Sequence, residues 1–109
     1  MTQTADVKSL ARELASELKQ VYGPRLREII LYGSWARGDA GPESDVDFLV
    51  VLDGYEGFSR ELDRIVGVST ALTLKYNVYV STQPISFDRY REGQESFLEE
   101  VRREGKRVA

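Results

Sequence analysis

Cysteine and histidine are both absent from the 109 residues, and there is one methionine, one tryptophan and three prolines. Without thiols, disulfides, thiolate zinc sites and cysteine nucleophiles are excluded. Without imidazole, the chain lacks the commonest metal ligand and the side chain that most often serves as general base. Any metal must be held by oxygen, which favours Mg²⁺ or Mn²⁺. Long apolar runs are missing too: none approaches the roughly 20 residues that span a bilayer. The N-terminus is polar, its first apolar positions are periodic, and no signal peptide is visible. The expected setting is cytoplasmic, with no membrane partner.

An excess of positive charge is also lacking. Fifteen Lys and Arg face eighteen Asp and Glu, a net charge of −3, which leaves no basic footprint for long nucleic acid. Arg102, Arg103, Lys106 and Arg107 do crowd the C-terminus; they read as cations at the negative pole of a helix. With 41% hydrophobic and 30% charged residues, the composition is that of a globular protein. The length suffices for one domain, residues 1–109.

Apolar residues at Val7, Leu10, Ala11, Leu14, Leu18 and Val21 form one stripe on a helix from Asp6 to Tyr22. Thr4 or Asp6 can cap its start, and Gly23-Pro24 stops it. Arg27 to Tyr32 is a short β-branched run bounded by breakers, hence a buried strand. Gly33-Ser34 turns out of it, Trp35 to Gly38 suits one helical turn, and Asp39 to Ser44 is a loop. Asp45 to Leu52 is a second strand whose continuous apolar stretch places it centrally. Phe58 to Lys75 reads as a helix with Leu62, Ile65, Val66, Ala71 and Leu72 inward. Tyr76 to Ser81 reads as a third strand, broken by Pro84. A last helix, Phe87 to Glu104, is capped by Ser86, is prone to interruption at Gly93, and contacts the core through Phe97, Leu98 and Val101. The order is helix, strand, strand, helix, strand, helix. It implies an α+β fold: a small mixed sheet with helices packed on one face, its first two strands antiparallel because their loop is too short for a crossover.

The informative segment is Gly33 to Leu52, GSWARGDAGPESDVDFLVVL. Asp45 and Asp47, two apart on a strand, point to one face roughly 6.5–7 Å apart. Carboxylates this close repel unless a cation lies between them, and Mg²⁺ takes one or two carboxylates while filling its other positions with water and phosphates. Gly33 leaves room for a phosphate. Ser34 offers a hydroxyl, and amides at the start of a helical turn favour an anion. Either element alone is commonplace in loops. Together, at one end of two adjacent strands, they supply a phosphate cradle and metal ligands to one site.

Here the sequence resembles the nucleotidyltransferases of the DNA polymerase beta superfamily, and most of all the minimal nucleotidyltransferases often encoded beside a HEPN-domain partner. Their pattern is Gly-Ser, ten residues, Asp-x-Asp; Gly33, Ser34, Asp45 and Asp47 match it without a gap, and Arg37-Gly38 and Ser44 match its embellishments. The resemblance implies that Gly33, Ser34, Arg37 and Ser44 bind the triphosphate of ATP. It implies that Asp45 and Asp47 hold Mg²⁺ and carry catalysis. The family's chemistry is transfer of a nucleoside monophosphate to an acceptor hydroxyl with release of pyrophosphate. One departure stands out. Active members add a third acid on a later strand, and the run Asn77-Val78-Tyr79-Val80-Ser81 has none. Asn77 is a possible third oxygen ligand, but an amide cannot take a proton.

Three readings follow. The first is a Mg²⁺-dependent enzyme that adenylylates a partner protein, as the antitoxin of a HEPN ribonuclease toxin, working as a homo- or hetero-oligomer. The second is a binding module of the same fold that neutralises its partner by occlusion. The third, disfavoured for want of a second domain, is transfer to a small molecule such as an antibiotic. Trp35 suits stacking or packing equally, and Arg37 suits phosphate or a pairing with Asp39 or Glu43.

Overall fold

A computed structural model describes residues 6–41 and 43–109; Thr4, the other candidate cap, lies outside them. Helix α1 spans Val7–Tyr22, with Asp6 accepting from the Ser9 amide at 3.1 Å and Gly23 ending it at φ 57°. A 3₁₀ turn, Gly23–Arg25, leads into β1, Leu26–Tyr32. Then come α2 (Ser34–Arg37), β2 (Val46–Leu52), α3 (Phe58–Tyr76), β3 (Val80–Ser86), α4 (Phe87–Glu92), α5 (Ser96–Glu104) and β4 (Lys106–Arg107). The sheet order is β3-β2-β1-β4, with β1 antiparallel to β2 and β4 and β2 parallel to β3. The mixed α+β architecture and the antiparallel first pair agree with the sequence reading.

The alternation of the strands divides the core. Ile29, Leu31, Val46, Phe48, Val50 and Leu52 pack on α1 and on Ile65 and Leu72 of α3. Ile30, Leu49, Val51 and Ile85 pack on Leu98 and Val101 of α5. The expected helical layer on one face is thus α1 with α3, and α5 adds a partial layer on the other. β2 is covered on both sides, which is why it reads as an unbroken apolar run.

Two expectations are corrected. The third strand is Val80–Ser86, not Tyr76 to Ser81: α3 continues through Tyr76, and Asn77 ends it in the left-handed conformation. Pro84 therefore lies inside β3 rather than breaking it. The Val46 amide donates to the Tyr79 carbonyl at 2.9 Å. Tyr79 and alternate residues after it, Ser81, Gln83 and Ile85, thus turn their backbone groups toward β2, and Val80, Thr82 and Pro84 turn theirs to the open edge. A proline costs no ladder bond there. The Val80 amide is taken by Thr73 Oγ1 at 2.9 Å, so the edge keeps few donors for a foreign strand.

The second correction concerns α3. Its inward residues are Glu61, Ile65, Ser69 and Leu72, whereas Val66 and Ala71 are exposed. Glu61 is wholly buried. Its carboxylate accepts from Arg25 Nη2 at 2.7 Å, Arg64 Nη1 at 3.0 Å, the Glu56 amide at 2.9 Å and the Tyr22 hydroxyl at 3.2 Å. Burial pushes its carboxyl up, but the Glu56 amide, Arg64 and Arg25 outweigh that and hold it below the usual range. This network pins the start of α3 to the 3₁₀ turn, at the Leu26 end of β1, opposite the end where Gly33 lies.

Candidate active site

β1 leaves the sheet at Tyr32, and Gly33 takes φ 78°, ψ −156°, a conformation that L side chains rarely adopt. Space is as restrictive as torsion. A Cβ built on Gly33 would stand 2.6 Å from Asp47 Oδ2, so only glycine lets the turn lie against that carboxylate. α2 starts at Ser34: the Ala36 and Arg37 amides bond to the Gly33 carbonyl and the Gly38 amide to the Ser34 carbonyl. The Ser34 and Trp35 amides precede these bonds, as the open donors of a helix start. With four residues α2 has little dipole, so this cradle consists of local amides and one hydroxyl. Gly33→Ala combines both conflicts. It is expected to lower stability by about 1–3 kcal/mol, as strained backbone does, and to weaken nucleotide binding; thermal melts and nucleotide titration check the two effects.

β2 brings Asp47 to this turn; Asp45, expected to open the strand, lies just before it. Asp47 pairs across the sheet with Tyr32 on one side and Ser81 on the other. Val46 and Phe48 are fully buried beneath it, so Asp47 faces the α5 side. Burial pushes its carboxyl up, repulsion from Asp45 adds to this, and Arg37 partly offsets both. Asp45, Asp47 and Arg37 therefore share one electrostatic environment. Tyr32 is pushed up to about 12 by burial and by Asp47, and its hydroxyl donates to Gln83 Oε1 at 3.2 Å. The neutral phenol keeps its proton for that bond.

Arg37 ends α2. Its Nε donates to Asp39 Oδ2 at 3.3 Å, and Nη1 lies 3.7 Å from Glu100 Oε1 and 4.0 Å from Glu104 Oε1. The expected pairing with Asp39 is present, without Glu43. A cavity of about 150 Å³ opens between the end of β1 and α5, lined by Tyr32, Gly33, Phe97, Glu100, Val101 and Glu104. The Tyr32 and Phe97 rings meet edge to face at 5.3 Å within it.

The structure thus brings Gly33, Ser34, Arg37, Asp45 and Asp47 to one corner. Ser44 is turned inward on its own loop, its hydroxyl accepting from the Gly41 amide at 2.9 Å. Trp35 packs against the larger core cluster and donates Nε1 to the Ser44 carbonyl at 3.3 Å, the packing alternative of the two weighed. Asn77 caps α3 instead of standing on the strand beside Asp47; that strand position is Ser81. β3 carries no carboxylate, and among the described residues no three acids gather in a group able to hold a metal. Sequence reasoning missed Tyr32, Gln83, Glu100 and Glu104. The i, i+4 spacing of the two glutamates puts them on one helix face, but no local signal names Arg37 as their partner.

A family model described as a nucleotidyltransferase domain matches residues 11–105. The chain belongs to the nucleotidyltransferase domain family. Two relatives from Methanocaldococcus jannaschii, each named "Putative protein adenylyltransferase", are 40% identical over 64% of this chain and 29% identical over 94% of it. The matched chain spans 64% of the first relative's length, just under two thirds, and 99% of the second's. A third with that name is 34% identical over 72% of this chain and 78% of its own. Two solved structures share the fold. One is described as a putative nucleotidyltransferase from Sulfolobus solfataricus, with TM-score 0.65, 20% identity and coverage of 92% of this chain and 77% of that one. The other is a toxin-antitoxin with AMP-PNP, with TM-score 0.62, 19% identity and coverage of 88% and 70%. In this nucleotidyltransferase domain, no helix among the described residues is long and apolar enough to cross a membrane.

Proposed function

We propose that this nucleotidyltransferase transfers AMP from Mg²⁺-bound ATP to a hydroxyl of a partner protein. The observation that carries the reading is the contact between the Gly33 turn and the Asp47 carboxylate, with Asp45 and Arg37 in the same field. The donor set fits a divalent cation. Two carboxylates that repel one another, one of them half-buried, are what Mg²⁺ relieves, and one or two such ligands plus phosphates satisfy it. When bound, Mg²⁺ would supply charge neutralisation and polarisation of the phosphate.

The chain's own residues do the rest. Asp45 and Asp47 would hold the metal, the Ser34 hydroxyl and the first α2 amides take phosphate oxygens, and Arg37 offers its planar fork to the same group. The acceptor oxygen bonds to the α-phosphorus, the bond from that phosphorus to the bridging oxygen breaks, and pyrophosphate departs. The acceptor proton leaves to solvent or to a base of the acceptor, since β3 offers only Ser81 and Gln83 on this face. Base assistance is worth about 10²–10⁴ in rate, so transfer is expected to be slow.

The relatives named as protein adenylyltransferases support a protein acceptor, and the toxin-antitoxin neighbour supports a toxin as that acceptor. The Gly33–Asp47 motif's resemblance to minimal nucleotidyltransferases points to a HEPN-domain protein, this chain being its antitoxin, in the cytoplasm. The absence of a carboxylate on β3 favours one rival: a module that neutralises the same partner by complex formation alone. α-Labelled ATP, Mg²⁺ and the protein encoded beside this chain separate the two. Label appearing on the partner with wild type, and not with Asp45→Asn or Asp47→Asn, supports the enzyme. Equal neutralisation by all three proteins without label supports the module.

A further inference from the structure

We infer that Glu100 and Glu104 of α5 are positioning residues of the nucleotide site: they draw the Arg37 guanidinium toward α5, compete with phosphate for it, and make the site disfavour a triphosphate that is not complexed to a metal. This rests on the nucleotide-binding reading above.

The geometry is that of a guanidinium held but not locked. Of the three carboxylates around Arg37, only Asp39, at 3.3 Å from Nε, is within hydrogen-bond distance; Glu100 and Glu104 stand at 3.7 and 4.0 Å from Nη1. Such exposed, longer pairs orient a side chain at little cost to its release. The placement of the two glutamates does not depend on Arg37. α5 is fixed by Leu98 and Val101, at 1% and 3% exposure, packed on Ile30, Leu49, Val51 and Ile85. The sheet therefore presents Glu100 and Glu104 to the cavity that Gly33 lines, whatever Arg37 does.

Charge then decides what enters. Asp39, Glu100 and Glu104 carry three negative charges against one on Arg37, and that same guanidinium acts on Asp47, which Asp45 repels. A bare triphosphate reaching for Arg37 must displace carboxylates from it and sit among acids. A metal-complexed triphosphate brings its own counter-charge to Asp45 and Asp47, and the lost pairing of Glu100 and Glu104 is offset. The acids of α5 weaken binding of both forms, the uncomplexed one more.

The experiment is calorimetric titration of the full chain with a non-hydrolysable ATP analogue, in Mg²⁺ and in EDTA. The proteins are wild type, the Glu100→Gln/Glu104→Gln double variant and Asp47→Asn. Glutamine preserves shape at exposed Glu100 and half-buried Glu104, and thermal melts check the fold. The double variant is expected to tighten binding in EDTA about tenfold and in Mg²⁺ about threefold, in line with two exposed ion pairs. Introducing Arg37→Ala alongside should cut the EDTA gain by more than half, which a purely structural role of α5 would not do. Affinities that are unchanged or weaker in the double variant overturn the inference. If Asp47→Asn still abolishes Mg²⁺-dependent binding in that case, the nucleotide reading stands and only the role of α5 falls. No binding by any protein overturns both.

Discussion

Asp47→Asn is expected to cut nucleotide transfer by about 10³-fold or more while leaving the fold as stable as wild type or slightly more so. A bound metal is worth several kcal/mol of charge stabilisation in the transition state, and each 1.36 kcal/mol is tenfold in rate. Asparagine keeps the shape and one oxygen but not the charge that holds the cation. The stability half follows from the sign of the shift. Burial and Asp45 hold the Asp47 carboxyl above its ordinary value, so the ionised group is less favourable in the folded chain than in the unfolded one at neutral pH. Removing that charge removes the cost. Single-turnover rates together with thermal melts test both halves. A variant inactive because it is unfolded would contradict the prediction as surely as an active one.

Glu61→Ala is expected to do the reverse: destabilise strongly without touching the chemistry. The side chain has 0% exposure and four donors on its two oxygens. Truncation takes the carboxylate from Arg25, leaves Arg64 with Glu56 alone, and strips the Tyr22 hydroxyl and the Glu56 amide of their acceptor; with both guanidiniums about a third exposed, the cost is about 2–3 kcal/mol. For a chain of this size the melting temperature falls by roughly 10–20 °C. The same network sets an acid limit. Glu61 is held below its ordinary value of 4.5, so its contribution is complete above that value and is lost as pH falls through the lower, folded-state value. Wild type should therefore lose stability on acidification below about pH 4.5. Nucleotide affinity of the remaining folded Glu61→Ala protein should match wild type, because Glu61 lies at the Leu26 end of β1 and Asp47 at its Tyr32 end.

Which parts of this were legible in the sequence follows from how local their causes are. α1, β1 and β2 were legible because periodicity and breakers lie within the segments themselves, though β2 begins at Val46, so that alternation fixes the facing of Asp47 and not of Asp45. β3 was misplaced because Pro84 is a breaker only where its missing amide would face a partner strand; at an edge it is harmless. The inward face of α3 was misjudged because a glutamate occupies a core position, made legitimate by four donors of which two, Arg25 and Tyr22, are distant in the chain. The surroundings of Arg37 were illegible for the same reason: Glu100 and Glu104 reach it through the packing of α5 on the sheet, a tertiary fact. Asn77 shows the opposite lesson, since a residue plausible on a strand is here the left-handed end of a helix.

The most direct test of the shared site is the magnesium dependence of nucleotide binding by the unmodified chain. Titration with a non-hydrolysable ATP analogue should show one site per chain in Mg²⁺, at least tenfold weaker affinity in EDTA, in keeping with the several kcal/mol a bound metal supplies, and loss of the metal effect in Asp47→Asn. Binding of equal strength with and without Mg²⁺, or untouched by Asp47→Asn, would contradict a metal-assisted triphosphate site at Gly33, Asp45 and Asp47.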